Sequence, residues 1–122
     1  MRYIIHCLSR NQFKKIAGCE YYKPLSLVKE GYIHCSDIDT FKNVAVHFDD
    51  GEYVLCVIDT LSLESPLVYE DLGNYKTAYP HIYGPLNCNS IIVSLPFLRD
   101  EEGIWQRNPE LDLLAPLLVD TE

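Results

Sequence analysis

The chain has 122 residues, of which 48% are apolar and 23% charged, and its formal net charge is −8. This length fits one domain with a core of its own. The negative surface repels phosphate backbones and argues against nucleic-acid partners. No apolar run approaches the roughly 18 residues that span a bilayer, and no signal-peptide pattern is present. We therefore expect a cytoplasmic protein with no membrane partner.

The five cysteines indicate a reducing environment. Their number is odd, none of them forms a CxxC pair, and three lie in apolar, strand-like runs. This pattern is typical of small core residues rather than of disulfides or zinc fingers. We expect Cys7, Cys35 and Cys56 to be mostly buried.

The first elements are a strand and a short helix. Residues 2–7 are β-branched and aromatic, which favours a strand buried on both faces. Ser9 and Gln12 have the spacing of a capping box, which predicts a helix over residues 10–17 that ends at Gly18. A loop should follow, with one turn of helix at residues 25–29 that ends at Gly31.

The middle of the chain predicts a strand, a helix and a second, stronger strand. Residues 32–35 favour a short strand, after which Ser36, Asp37 and Asp39 offer capping oxygens for a helix over residues 40–48. The helix carries an apolar stripe at i, i+3, i+4 and i+7, formed by Phe41, Val44, Ala45 and Phe48. His47 lies off this stripe and is interpreted as a surface residue.

The second half predicts further strands and an apolar tail. Residues 53–58 predict a central strand, and residues 66–70 and 91–95 predict two more. In the tail, Asn108 and Pro109 have the pattern of a helix start. The fold class is therefore α+β, a single compact domain with a split mixed or antiparallel sheet and two short helices. We expect a domain at residues 1–103 and a leucine-rich extension at 104–122 that packs on the domain or on a partner chain, which allows a homo-oligomer.

Two similar blocks carry the main functional signal. GYIHCS at residues 31–36 and YPHIYGPL at 79–86 each place a histidine in an apolar run beside a hydroxyl group and a glycine. Pro80 and Pro85 hold the second block in a stiff, nonhelical conformation. We expect His34 and His81 to face a common cavity, with His6 near its floor or rim.

The chain resembles the DUF952 family of small bacterial proteins over about residues 1–98. The resemblance rests on these two blocks, on the first strand ending in Ile5-His6 and on the segment Val68-Tyr69-Glu70. The resemblance implies an ADP-ribosyltransferase-like fold with a cleft for a nicotinamide dinucleotide. It implies no settled activity.

The resemblance also implies a site and a cofactor. His34, His81 and Glu70 are the expected catalytic residues of an NAD-dependent ADP-ribosyltransferase, with Glu70 stabilising the ribosyl cation. NAD or a related small-molecule nucleotide is the expected ligand. The expected cofactor-binding residues are His6, Ser36, Tyr83 and Gly84.

Two alternatives stay open. In one, the chain is a noncatalytic module that binds a nucleotide or another small anion. The same hydrogen-bond donors serve binding and catalysis, so the sequence does not separate this alternative from an enzyme. The other is a zinc site formed by His6, His34 and His81, although no HxH or HExxH spacing supports a metal. Each histidine also has a structural interpretation, in which its imidazole is buried and bonded to a backbone carbonyl.

Overall fold

The computed structural model of the chain describes residues 2–114, which contain eleven short strands and three α-helices. The strands are β1 (Tyr3–Ser9), β2 (Tyr21–Tyr22), β3 (Ile33–His34), β4 (Ser36–Asp37), β5 (Tyr53–Asp59), β6 (Leu67–Glu70), β7 (Tyr79–Ile82), β8 (Leu86–Asn87), β9 (Ile91–Pro96), β10 (Leu98–Arg99) and β11 (Trp105–Gln106). The helices are α1 (Arg10–Ile16), α2 (Leu25–Glu30) and α3 (Phe41–Ala45), with single 3₁₀ turns at Thr60–Ser62, Cys88–Ser90 and Pro109–Leu113.

The strands form two principal antiparallel sheets. The larger sheet has the order β4-β1-β5-β9, and the smaller has the order β3-β7-β6. Two ribbons, β2-β8 and β10-β11, complete the pairing. The predicted α+β class, the split sheet and the central position of β5 are confirmed. The likeness to ADP-ribosyltransferases stays a prediction.

The larger sheet separates two hydrophobic cores. Tyr3 and Ile5 of β1 point into the first core, and Ile4 and Leu8 point into the second. This alternation follows from the two-residue period of a strand. Helix α3 covers the first core and α1 the second. The long strands are therefore buried on both faces, as their continuous apolar sequences predict.

The two N-terminal helices confirm the predicted signals. The Ser9 side chain accepts a hydrogen bond from the Gln12 backbone, and the Gln12 side chain accepts one from Ser9 in return. Helix α2 ends at Gly31, whose φ of +87° lies in the left-handed region. Glycine adopts this conformation without the steric cost that a Cβ imposes.

The predicted cap of the third helix is wrong, although the helix begins within one residue of the predicted position. Ser36 and Asp37 form β4, which pairs with Ile5 and Ile4 of β1, and they do not cap a helix. The helix is also shorter than expected. Thr40 stands at its N-cap, but its hydroxyl donates to the Asp37 carbonyl at 3.3 Å and does not cap the helix. Pairing with the buried first strand satisfies the backbone groups of β4 and so outweighs a local cap. The apolar stripe is confirmed, since Phe41 and Ala45 are buried in the first core.

The sequence pattern missed the shortest elements. It predicted two helices where the described residues contain three, and it missed the ribbons β2-β8 and β10-β11. Strands of two residues show no period, so only their partners define them.

The start of the C-terminal extension packs on the domain. The Asn108 side chain accepts a hydrogen bond from the Glu110 backbone, with Pro109 in the first turn, as predicted. Leu111 and Leu114 are buried in the first core, whereas Leu113 is exposed. Leu117 and Leu118 lie outside the described residues. The division at residue 103 and the contact with a partner chain stay predictions.

All five cysteines are free. Cys35 and Cys56 are buried as predicted, but Cys7 is only half-buried, because it lies where the cover of β1 by β4 has ended. Burial raises the pKa of the Cys7 and Cys56 thiols to about 12. No helix in the described part of the chain has the length and apolar character that a membrane span requires.

Candidate functional site

Strands β3 and β7 bring the two histidine blocks together. His34 and His81 are directly paired across these strands, and their ring centroids lie 5.5 Å apart. Opposite residues of an antiparallel pair project to the same face, so the two imidazoles share one side of the smaller sheet. Strand pairing thus joins positions that are far apart in sequence.

A first set of three side chains comes from one short stretch, Glu30, Tyr32 and His34. The Tyr32 hydroxyl donates to Glu30 Oε2 at 3.1 Å, and His34 Nε2 lies 3.2 Å from Glu30 Oε1. The turn at Gly31 places the carboxylate of Glu30, at the end of α2, beside the rings of Tyr32 and His34. Both hydrogen bonds favour the ionised carboxylate and lower the pKa of Glu30.

A second set of the same residue types comprises Glu70 of β6, His81 of β7 and Tyr83, which directly follows β7. The Tyr83 hydroxyl donates to Glu70 Oε2 at 2.5 Å, and His81 Nδ1 lies 3.9 Å from the same oxygen. The bond to Glu70 raises the pKa of Tyr83 to about 12. Burial lowers the pKa of His81, so this imidazole is neutral at pH 7.

The ring of Tyr32 joins the two sets. Its centroid lies 4.9 Å from that of His34 and 4.9 Å from that of His81, with both rings edge-on, and 5.6 Å from that of Tyr83. The two sets therefore form one continuous cluster.

This cluster forms part of the wall of a cavity of about 670 Å³ between the two sheets. All four histidines of the chain line it, together with Glu30, Glu70 and Ser36. Apolar surface comes from α3 and from the loop of residues 71–78, which contributes Leu72 and Tyr75. Among the described residues, no lysine or arginine lines the cavity. It is therefore acidic and favours neutral or cationic groups over anions.

Two buried polar atoms in the wall have no protein partner. The Oγ atom of Ser36 and the Nδ1 atom of His81 make no hydrogen bond with any described residue. Ser36 is 1% exposed and His81 is 4% exposed. Buried polar groups are nearly always paired, so these two atoms have unused hydrogen-bonding capacity beside the cavity.

His6 differs from the other two predicted histidines, because both of its nitrogens already have protein neighbours. Its Nδ1 lies 2.6 Å from the His34 carbonyl oxygen, and its Nε2 lies 3.5 Å from the Tyr22 hydroxyl. Burial lowers the pKa of this imidazole. This geometry favours the structural interpretation of His6, although one side of the residue lines the cavity.

Tyr83 and Gly84 do not line the cavity. Tyr83 reaches it only through its hydrogen bond to Glu70. Gly84 has a φ of +150°, and a Cβ atom there would lie 2.5 Å from Ser65 Oγ. The structure thus brings together His34, His81, Glu70, Ser36 and one side of His6, and leaves Gly84 outside.

The sequence analysis missed several residues of the cavity. Glu30 ends α2 and His34 lies on β3, so their contact depends on the turn at Gly31 and not on helical spacing. His47 is exposed as expected, yet it lies at the cavity wall. Tyr75 gave no signal, because it belongs to a loop whose path the sequence does not specify.

The described residues contain no group of three or more His, Cys, Asp or Glu side chains placed to hold a metal ion. Both nitrogens of His6 also have protein neighbours already, which disfavours this residue as a metal ligand.

The fold and the cavity define a small α+β protein with an acidic, histidine-lined pocket between two antiparallel sheets. The chain belongs to the DUF952 family, described as a protein of unknown function, whose pattern matches residues 5–94. No curated protein matches the chain.

The fold is similar to that of protein CC0527 from Caulobacter crescentus. Its X-ray crystal structure has a TM-score of 0.74 and 22% identity, and the match covers 93% of this chain and 98% of that one. Its solution NMR structure has a TM-score of 0.67 and 21% identity, with coverage of 93% and 99%. At this identity the likeness shows the fold alone.

Proposed function

We propose that the cavity binds the nicotinamide-ribose end of NAD or a related nucleotide, and that the protein is an NAD-dependent ADP-ribosyltransferase. One observation carries this proposal. Two carboxylate–histidine–tyrosine sets meet at a cavity whose described wall contains no lysine or arginine.

The charge of the cavity suits this end of the molecule. The nicotinamide ring of NAD is cationic, and transfer of its ribosyl group passes through an oxocarbenium-like state that is also cationic. Carboxylates fixed beside that position stabilise the developing charge. Glu70 and Glu30 are the two carboxylates in the wall. A volume of about 670 Å³ is also sufficient for a nucleoside-sized ligand.

The two unpaired polar atoms suit the ribose. Ser36 Oγ can donate to a ribose hydroxyl, and the neutral His81 Nδ1 can accept from one. Binding would then remove the cost of leaving these buried atoms without partners.

The residues support a balanced transfer step. The bond between the anomeric carbon and the nicotinamide nitrogen breaks, and its electron pair stays on the nitrogen. Glu70 stabilises the ribosyl cation. A nucleophilic group of the acceptor attacks the anomeric carbon, and its proton passes to His81, whose neutral imidazole is a competent base.

Release of nicotinamide from NAD tests this proposal. The purified chain is incubated with carbonyl-labelled NAD, with and without a bacterial lysate as a source of acceptors, and free nicotinamide is separated by chromatography. Glu70→Gln keeps the shape of the side chain but removes its charge, so the rate should fall by about 100-fold or more.

The matched control is Glu52→Gln, which removes a carboxylate at an exposed site paired with Arg10. It should leave the rate unchanged. An absence of nicotinamide release from the wild type under both conditions would contradict the catalytic proposal.

A noncatalytic nucleotide-binding module is the second candidate, and one contact favours it. The Tyr83 hydroxyl already bonds Glu70 Oε2, which reduces the charge that this carboxylate presents to a ligand. Calorimetry separates the two candidates, because a binding module takes up NAD without releasing nicotinamide.

A further inference from the structure

The loop between β6 and β7 places an exposed aromatic ring at the rim of the cavity. Tyr75 lines the cavity, yet it is 67% exposed. Such a position leaves much of the ring in water, although the residue is large and mostly apolar. An exposed ring beside a pocket provides a surface on which a planar ligand group can stack.

The ring is held in place by its own loop. A Cβ atom at Gly73 would lie 2.0 Å from Tyr75 Cε2 and 2.6 Å from its Cδ2, so the ring rests directly against the glycine. The Asp71 carboxylate accepts from the backbone N–H groups of Tyr75 at 2.8 Å and Lys76 at 2.7 Å. These contacts fix the ring before any ligand arrives, and such preorganisation reduces the entropy lost on binding.

The rim and the interior of the cavity differ in character. Glu30 and Glu70 line the interior, and among the described residues no lysine or arginine does. The acidic interior and the aromatic rim therefore suit different parts of one molecule.

We infer that Tyr75 is the stacking platform for the adenine ring of the ligand, an inference that rests on the proposed function. The cationic nicotinamide-ribose end then occupies the acidic cavity. The purine lies at the rim. The ligand class is thereby narrowed to adenine dinucleotides, as opposed to nicotinamide nucleosides alone.

Two probes of different length test the inference by calorimetry on the full chain. NAD contains both ends, and nicotinamide riboside contains only the end assigned to the cavity. Stacking of a base on an aromatic side chain is typically worth about tenfold or more in affinity. Wild-type protein should therefore bind NAD at least about tenfold more tightly than nicotinamide riboside.

Four variants locate the effect. Tyr75→Ala should weaken NAD binding by about tenfold and leave nicotinamide riboside unchanged, whereas Tyr75→Phe should retain both affinities. Gly73→Ala should reproduce the loss, because the new Cβ displaces the ring. Tyr21→Ala is the matched control and should change neither affinity. It removes an exposed tyrosine of β2 whose hydroxyl donates to Glu64.

The outcomes separate this inference from the proposed function. Equal affinity of the wild type for the two probes, or an unchanged affinity of Tyr75→Ala for NAD, would overturn the platform and leave the cavity proposal intact. An equal loss for both probes in Tyr75→Ala would also overturn it, since the ring would then act on the cavity itself. If neither probe binds the wild type, the proposed function fails and the inference fails with it.

Discussion

The two sets of side chains at the cavity contain the same residue types in different surroundings. The first set is Glu30, Tyr32 and His34, and the second is Glu70, His81 and Tyr83. His34 is exposed beside a carboxylate that is half in solvent, whereas His81 is 4% exposed. Burial lowers the pKa of His81 and keeps it neutral, while the first set holds an ionised Glu30 at the cavity edge. Identical side chains thus acquire different chemistry from their burial.

The two sets also differ in how the chain builds them. The first comes from five consecutive residues at the end of α2 and the start of β3. The second requires β6 and β7 to pair, with Val68 opposite His81 and Glu70 opposite Tyr79. We therefore expect the second set to be more sensitive to the stability of the fold, and the following predictions test that difference.

The largest difference should appear when the two histidines are removed. His81→Ala leaves a cavity in a buried position and should lower the free energy of unfolding by about 2–4 kcal/mol. His34→Ala removes an exposed hydrogen bond to Glu30 and should cost less than about 1 kcal/mol. Urea denaturation measures both, with the exposed His47→Ala as the control. Equal losses would show that burial does not separate the two sets.

A smaller difference in stability should separate the alanine variants of the two glycines beside these sets, Gly31 and Gly84. At Gly31 the left-handed φ of +87° is the only obstacle to a side chain, so Gly31→Ala should cost about 1–2 kcal/mol. At Gly84 a Cβ atom would also lie 2.5 Å from Ser65 Oγ and 2.9 Å from Ser65 Cβ, so Gly84→Ala should cost about 1 kcal/mol more. Thermal denaturation with circular dichroism ranks the variants. A greater loss at Gly31 would contradict the crowding at Gly84.

The smallest effect should be a dependence of stability on pH. Burial lowers the pKa of His6 and His81 from 6.5, so the folded protein favours their neutral forms. The unfolded chain therefore binds more protons as the pH falls below about 6.5, and the stability present above that pH is progressively lost.

Urea denaturation between pH 8 and pH 5 measures this loss. The free energy of unfolding should fall less steeply with decreasing pH in His81→Gln than in the wild type. Titration of His6 should account for the dependence that remains. His47→Gln, at an exposed position, is the control and should keep the wild-type slope. A slope unaffected by His81→Gln would show that His81 does not titrate as its burial requires.

Much of the fold could be predicted because its longest elements carry local signals. The apolar runs of β1 and β5, the capping box at Ser9 and the stop at Gly31 act within a few residues of the chain. Strand β4 could not be predicted, since its two residues depend on pairing with Ile4 and Ile5, and Ser36 taken alone favours a cap.

The site was predictable to a similar extent. The repeated pairing of histidine with glycine and a hydroxyl group indicated that His34 and His81 belong together, and the structure places them opposite each other. The roles of these residues stay predictions. Gly84 was wrongly assigned to the site. Its positive φ and its close approach to Ser65 explain the glycine, and the sequence does not reveal that contact. Tyr75 depends on contacts within its loop, so no periodic pattern could identify it.

The change of sheet at Cys35 has a mechanical consequence. Strands β3 and β4 belong to different sheets, with only this residue between them, and its N–H donates to the Pro80 carbonyl at 3.0 Å. A few ångströms away, His6 of the larger sheet is bonded to the His34 carbonyl of the smaller one. These two hydrogen bonds thus join the two sheets along the back of the cavity and fix the width of the cavity there. Ligands would therefore reach the cavity from the side that the loop of residues 71–78 borders.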